Sequence, residues 1–266
     1  MNAAGPWASS LDKLQSVHKG GSGAVVTKTF TIEPASGNEE PNQYFSKDFS
    51  INSVGLSNKG SAYFISAVSK LGKDKPIIAS VAEESNNKIL ELVEIVSPHF
   101  DGIELNLSCP NIKSKEPLAY SLHQLDILLE KLFKVVGIPV GLKLPPYITR
   151  GQIANTAAVL RKYPINHIVL INTYPLASIL VDGEKVIMPN DGVGGLGGKS
   201  LKPIALAHVI LFKKYMPDTP IIGVGGIETK EDVRDFIKAG ASAVQVGTAL
   251  HSHGLDLLDE LSASNQ

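Results

Sequence analysis

Short apolar segments recur along the chain, and longer segments of helical period separate them. The apolar segments are rich in Val and Ile, which is typical of strands that are buried on both faces of a parallel sheet. We predict eight such strands: MNAA (1–4), GAVVT (23–27), PIIASVA (76–82), GIELNLS (102–108), PVGLKL (139–144), HIVLIN (167–172), PIIGVG (220–225) and SAVQVG (242–247).

The segments between the predicted strands indicate amphipathic helices. In SLHQLDILLEKLFKVV (121–136) and TKEDVRDFIKAG (229–240), apolar residues fall at positions i, i+3, i+4 and i+7. Thr229 is a candidate N-cap, and Gly240 is the candidate end of the same helix. The alternation predicts an α/β fold, specifically a (β/α)8 TIM barrel, with long loops after strand 2 (28–60) and strand 6 (173–203).

Composition narrows the class of protein. A chain of 266 residues, 43% of them hydrophobic, fits one barrel domain of about 250 residues, so we expect a single domain over 1–266. A net charge of -1 argues against nucleic acid as a partner. The single cysteine excludes an internal disulfide, and no apolar run approaches the roughly 20 residues of a membrane helix. We therefore expect a cytoplasmic protein without a membrane partner.

The predicted strand ends carry the candidate chemistry, because barrel enzymes build their sites at the carboxyl ends of the strands. Two glycine-containing pairs, at 225–226 and 247–248, lie at adjacent strand ends and indicate a ligand that bears a phosphate. GVGGLGG (192–198) is a candidate addition to the same cradle. The strand ends read Gly5, Lys28, Ser80, Asn106, Ser108, Cys109, Lys143, Asn172, Thr173, Gly225, Gly226, Gly247 and Thr248.

Two residue types at these ends have alternative interpretations. Lys28 and Lys143 are either surface lysines with buried stems or cations placed near developing negative charge. Cys109 is either an inert buried thiol or a thiol that transfers a proton, and its polar neighbours, among them Asn106 and Asn111, favour the second interpretation. No cluster of His or carboxylate residues accompanies them, so we expect no metal site.

The motifs resemble the dihydroorotate dehydrogenases, in particular the soluble class 1A family. The resemblance covers almost the whole chain and rests on MNAAG, VVTKTFTIEP, SINSVGL, ELNLSCPN, GLKLPPY, GVGGLGG, KPIALA, IIGVGGIET and VQVGTALHSHG, which follow one another in family order. It implies an FMN-dependent barrel that oxidises dihydroorotate to orotate in pyrimidine biosynthesis, passes the electrons to fumarate and forms a homodimer. Family members also extend beyond both ends of this chain, so we expect it to be short there.

The resemblance also assigns residues to roles. Cys109 matches the catalytic base, and CPNIKSKEPLAY (109–120) matches a loop that closes over the substrate. The implied substrate-binding residues are Lys28, Asn52, Gly55, Leu56, Asn106, Asn111, Asn172 and Thr173. The implied FMN-binding residues are Ala4, Gly5, Lys28, Thr29, Asn106, Lys143, Gly198, Gly225, Gly226, Gly247 and Thr248.

Alternatives within and outside this family stay open. Class 1B relatives carry a cysteine at the same place and reduce NAD through an iron–sulfur subunit. The pyrimidine-reducing domain of dihydropyrimidine dehydrogenases and the tRNA dihydrouridine synthases are related flavin barrels. A flavin-binding protein without turnover is a further alternative, because the chain reads IKSK at 112–115 where the family usually has a Pro-Gly-Lys run.

Overall fold

The computed structural model describes residues 1–108 and 117–262. Its strands are, in chain order, β1 (Val25–Val26), β2 (Gln43–Phe45), β3 (Ser50–Asn52), β4 (Ile77–Val81), β5 (Gly102–Asn106), β6 (Val140–Leu144), β7 (His167–Leu170), β8 (Tyr174–Ala177), β9 (Leu180–Val181), β10 (Glu184–Lys185), β11 (Gly194–Gly197), β12 (Ile221–Val224) and β13 (Ala243–Gln245). The α-helices are α1 (Leu11–Lys19), α2 (Gly60–Val68), α3 (Asn86–Val96), α4 (Leu122–Val135), α5 (Arg150–Leu160), α6 (Lys202–Tyr215), α7 (Lys230–Lys238), α8 (Ala249–His253) and α9 (Asp256–Ser262). In the described part of the chain, no helix is both long and apolar enough to cross a membrane.

Seven of the strands form one parallel sheet in the order β1-β4-β5-β6-β7-β12-β13. Every neighbouring pair in this sheet is parallel. These strands coincide with seven of the eight predicted segments, so the α/β class and its parallel sheet are confirmed. Helices follow most of the strands, because a parallel connection must cross back over one face of the sheet.

The predicted first strand, 1–4, is not formed as a strand. Asn2 makes a single parallel bridge to Val246, and Ala3 donates its backbone N–H to the Val246 carbonyl at 2.7 Å. On the other side, the Asn2 side chain replaces a backbone ladder. Its Nδ2 donates to the Val26 carbonyl at 2.6 Å, and its Oδ1 accepts from the Val26 N–H at 3.0 Å. Residues 1–3 thus bridge the two edge strands of the sheet.

Both predicted long loops contain short strands, which the sequence did not indicate. Segments of 28–60 and 173–203 pair with each other in a four-stranded antiparallel sheet of order β2-β3-β11-β8, and β9 and β10 form a separate hairpin. The decisive contact is β3 with β11, in which Asn52 pairs with Gly195 and Ser50 with Gly197. Polar loop sequences far apart in the chain satisfy their backbone groups in this way.

Alternation along the parallel strands divides apolar from polar positions. On β5, Ile103 and Leu105 are buried in the main hydrophobic core between the sheet and the helices, while Glu104 and Asn106 point to the other face. The helices carry the expected local signals. Thr229 caps α7 by accepting the Asp232 N–H at 3.2 Å while Asp232 Oδ2 accepts the Thr229 N–H at 2.8 Å, which confirms the predicted N-cap.

Candidate active site

A cavity of about 530 Å³ lies between the carboxyl ends of the parallel strands and the four-stranded sheet. Its volume is in the range of small-molecule and cofactor sites, roughly 300–1,000 Å³. Residues from both ends of the chain meet there, as the strand-end argument predicted. Of the predicted site residues, the cavity lining includes Ala4, Gly5, Lys28, Thr29, Asn52, Leu56, Asn106, Lys143, Asn172, Thr173, Gly198, Gly225, Gly226, Gly247 and Thr248.

One end of the cavity is a cradle of glycine backbone. Gly198, Gly225 and Gly226 have φ values of 82°, 128° and 70°, which side chains other than glycine rarely adopt. A Cβ added to Gly226 would lie 2.9 Å from the Gly198 carbonyl oxygen, so the two loops need glycine to approach each other. Thr248 closes this end, and its hydroxyl lies 3.1 Å from the Ser50 hydroxyl of β3. Such a cradle suits an anionic group such as a phosphate.

The middle of the cavity holds a cluster of side-chain amides. Asn172 Nδ2 donates to Ser108 Oγ at 2.6 Å, and Ser108 Oγ donates to Asn106 Oδ1 at 2.7 Å. Asn106 Nδ2 in turn donates to Thr29 Oγ1 at 3.3 Å. Opposite them on β3, Asn52 Nδ2 donates to the Gly195 carbonyl at 3.2 Å. These groups offer both hydrogen-bond donors and acceptors to a polar ligand.

The two lysines differ in their surroundings. Lys28 is half-buried where the chain leaves β1, and its backbone N–H donates to the Ala8 carbonyl at 3.0 Å. Lys143 on β6 is only 5% exposed, so the surface-lysine alternative is wrong for this residue. Its Nζ lies 3.8 Å from Glu104 Oε1, and Gln245 Nε2 donates to Glu104 Oε2 at 2.6 Å.

Glu104 and Gln245 were missed by sequence reasoning, although a signal for Glu104 exists. A glutamate that alternates with Ile103 and Leu105 inside a buried strand must point to the opposite face, where a buried carboxylate needs a partner. The four-stranded sheet contributes further lining residues that no motif marked, such as Gln43, Phe45 and Asn190. Their position depends on pairing between distant segments.

One described site residue, Gly55, is not part of the cavity lining. Gly55 lies in the turn after β3, with a φ of 70° and Asn38 packed against it, and its neighbour Leu56 has a φ of 55°. Cys109 and Asn111, with the rest of the predicted closing loop up to residue 116, lie outside the described residues. In the part of the chain that the structure describes, no group of three or more His, Cys, Asp or Glu side chains could hold a metal ion.

The fold and the cavity define an α/β protein whose ligand site lies at the carboxyl edge of a parallel sheet and combines an anion cradle, amides and two lysines. A family model described as dihydroorotate dehydrogenase matches residues 1–264. The chain belongs to the dihydroorotate dehydrogenase family.

Similar proteins agree with this membership. A relative from Streptococcus pyogenes serotype M3, with the provisional name dihydroorotate dehydrogenase A (fumarate), is 38% identical over 268 residues, covering 98% of this chain and 86% of the relative. A relative of the same provisional name from Streptococcus agalactiae serotype V is 38% identical over 271 residues, with the same coverage. The crystal structure of DHODH from Eimeria tenella in complex with ferulenol has a TM-score of 0.83 at 22% identity, covering 99% of this chain and 79% of that one. The last comparison concerns the fold alone.

Proposed function

We propose that this chain is an FMN-dependent enzyme that oxidises (S)-dihydroorotate to orotate, a step of pyrimidine biosynthesis, with fumarate as the electron acceptor. The observation that carries the proposal is the meeting of Asn52, Asn106 and Asn172 with Lys28 and Lys143 in one cavity that ends in a glycine cradle. The provisional name of the relatives that are 38% identical supports the substrate and the acceptor.

The glycine end of the cavity supports FMN as the ligand. Added Cβ atoms at Gly198 and Gly226 would fall within 3 Å of backbone atoms, so this end consists of closely packed glycine backbone, which suits a phosphate. We assign the phosphate end to Gly198, Gly225, Gly226, Gly247 and Thr248. The flavin ring would contact Ala4, Gly5, Lys28, Thr29, Asn106 and Lys143. When bound, FMN supplies a two-electron acceptor, which protein side chains lack.

We assign substrate recognition to the amide cluster. Asn52, Asn106 and Asn172 would exchange their present hydrogen bonds for bonds to the ring amides and carboxylate of dihydroorotate. Thr173 lies beside them, and its backbone N–H donates to Asn172 Oδ1 at 2.8 Å, which orients that amide. We also assign to substrate binding the side chain of Lys28 and the backbone of Gly55 and Leu56. Asn111 is assigned to the same role from the sequence alone.

We assign the removal of the substrate proton to Cys109 because of its position in the motif ELNLSCPN. Its thiolate would take the proton from C5 of dihydroorotate, while the hydrogen at C6 would leave as a hydride, which carries the electron pair of the broken C–H bond. The C5–C6 bond would become a double bond, and this one electron pair, with two protons, would finally reduce fumarate to succinate. Lys143 contributes positive charge where negative charge develops.

The proposal also covers the architecture. We propose that residues 1–266 form one FMN-binding domain and that residues 1–4 complete a closed (β/α)8 barrel, since residues 1–3 already bridge β13 and β1. We propose a homodimer as well. Exposed apolar side chains near the four-stranded sheet support it: Leu176 is 87% exposed, and Leu180 and Met188 are also exposed.

The test of the proton step is Cys109→Ala. We expect this variant to bind FMN and orotate as the unsubstituted protein does and to lose most of its flavin reduction by dihydroorotate, because general base catalysis contributes about 10²- to 10⁴-fold. Since Cys109 is the single cysteine of the chain, alkylation by iodoacetamide reports on this thiol alone, and orotate should protect it. Flavin reduction at the normal rate in the variant would remove Cys109 from the mechanism.

A further inference from the structure

A layer of polar residues lies inside the parallel sheet, directly below the cavity. Glu104 on β5 pairs in register with Gly141 on β6, and Gly141 pairs with His167 on β7. Gly141 leaves the space that the His167 ring occupies, since a Cβ there would collide with the ring. Gln245 on β13 reaches the same layer and donates to Glu104 Oε2 at 2.6 Å. The carboxylate of Glu104 is therefore surrounded by residues from three other strands, β6, β7 and β13.

Lys143 connects this layer to the cavity. It lies two residues beyond Gly141 on β6, and it lines the cavity in which the amides and the glycine cradle also lie. Its Nζ is 3.8 Å from Glu104 Oε1, which makes an ion pair without a direct hydrogen bond. The two side chains are 6% and 1% exposed, so water screens their charges very little.

The buried pair of Glu104 and Lys143 is not explained by a contribution to folding stability alone. A buried ion pair is often no more stabilising than an apolar pair of the same size, because both charges must be taken out of water. Glu104 Oε1, Gln245 Oε1 and His167 Nε2 are also buried without a hydrogen-bond partner, which adds to the cost. A costly buried pair with one member at the wall of a ligand cavity indicates a role toward the ligand.

The other ionisable groups nearby leave Glu104 as the counter-charge of Lys143. Burial is the main cause that holds the pKa of His167 below its usual value, so this ring adds no charge near neutral pH. Gln245 is neutral and fixes the other carboxylate oxygen. Lys28 lines the same cavity and is itself cationic.

We propose that Glu104, held by Gln245, is a positioning residue whose negative charge holds the Lys143 side chain at the floor of the cavity and thereby fixes where a bound flavin meets the lysine. The inference rests on the proposed function for the identity of the ligand. The ion pair between Glu104 and Lys143 is inferred only from the geometry of the described residues.

The variant that tests the inference is Glu104→Gln, which keeps the shape of the side chain and its acceptor for Gln245 while removing the charge. The matched control is Glu94→Gln, the same change at an exposed position on α3. Lys143→Met and the double variant with Glu104→Gln show whether Glu104 acts through Lys143. All variants are made in the full chain and measured both with FMN and without it.

With FMN bound, the measured quantity is the midpoint potential of the flavin at pH 7.5. We expect Glu104→Gln to shift it to more negative values, because a Lys143 side chain that is no longer held at the cavity floor stabilises the negative charge of a reduced flavin less. Glu94→Gln should leave the potential unchanged. With Met at position 143, Glu104→Gln should produce no further negative shift. An unchanged or more positive potential in the single variant would overturn the inference.

Without FMN, the measured quantity is the urea unfolding free energy at pH 7.5. We expect Glu104→Gln to destabilise the protein more than Glu94→Gln does, because it leaves the charge of Lys143 buried without its partner. In the Lys143→Met background, the same change should cost less. Equal stability of Glu104→Gln and Glu94→Gln would contradict the inference. If the unsubstituted protein binds no FMN, the proposed function fails, and this second measurement still decides on the ion pair.

Discussion

Substituting Gly226 by alanine tests the glycine cradle at the point where the backbone is most confined. With a φ of 70°, Gly226 lies in the left-handed region, which costs a side-chain-bearing residue about 1–2 kcal/mol. The new Cβ would also lie 2.9 Å from the Gly198 carbonyl oxygen and 2.8 Å from Lys202 Cβ. The Gly198 loop must therefore move by several tenths of an ångström. We expect a total loss of about 2–5 kcal/mol, shared between folding and FMN binding, since overpacking adds about 1–3 kcal/mol.

The assay uses the single tryptophan of the chain, Trp7, which lines the same cavity. Titrating FMN into the flavin-free protein should quench its fluorescence, and the titration gives the dissociation constant. For Gly226→Ala we expect that constant to rise at least tenfold, which corresponds to about 1.4 kcal/mol. Gly23→Ala is the control, because a Cβ at Gly23 meets nothing within 4 Å. Equal FMN affinity and equal urea stability in the two variants would refute the reasoning.

Two further predictions concern acid stability and the amide cluster. Burial lowers the pKa of His208, whose Nε2 accepts the Tyr147 N–H at 2.7 Å, so the unfolded chain takes up a proton below about pH 6.5 before the folded protein does. The stability that this neutral histidine contributes is present above about pH 6.5 and is lost as the pH falls. Urea unfolding at pH 7.5 and 5.5 should therefore show a smaller loss of unfolding free energy at low pH in His208→Gln than in the unsubstituted protein. An equal loss in the two proteins would count against this explanation. For Asn172→Ala we expect orotate affinity to fall about tenfold with FMN affinity unchanged, because hydrogen-bonded amides contribute about 0.5–1.5 kcal/mol each; equal orotate affinity would exclude Asn172 from the substrate site.

The parallel sheet could be predicted from the sequence because its strands are buried on both faces and read as continuous apolar runs. Segment PVGLKL, for instance, contains β6 with all five residues buried, Lys143 included. Helix α7 was predictable as well, since the side chain of Thr229 and that of Asp232 cap it locally. Each of these two signals is contained in a short stretch of chain of its own.

The four-stranded sheet could not be predicted by the same means. Strand β11 is the sequence GGLG, which lacks the β-branched residues of a typical strand, and its partner β3 is more than 140 residues away. Register between such segments depends on the tertiary fold. Asn2 is a similar case, because it bridges two strands partly through its side chain rather than by backbone pairing alone.

The strand-end rule predicted the lining residues at the ends of the parallel strands, such as Lys143 and Asn172, because all parallel strands deliver their carboxyl ends to the same edge. It did not predict the layer below. Glu104 lies within its strand, and its connection to Gln245 crosses between strands that are 141 residues apart in sequence. Only the alternation of apolar and polar residues on β5 indicates Glu104, and this pattern does not predict which residue binds its carboxylate.

The proposed function requires that this cavity holds FMN and that the bound flavin is reduced by dihydroorotate. It can be tested by recording the absorbance of the purified protein in the flavin band during anaerobic addition of dihydroorotate and then of fumarate. We expect a bound flavin that is bleached by dihydroorotate and recovers its absorbance when fumarate is added. A bound flavin that dihydroorotate leaves fully oxidised would contradict the proposed substrate, and a protein that takes up no flavin at all would contradict the assignment of the cavity.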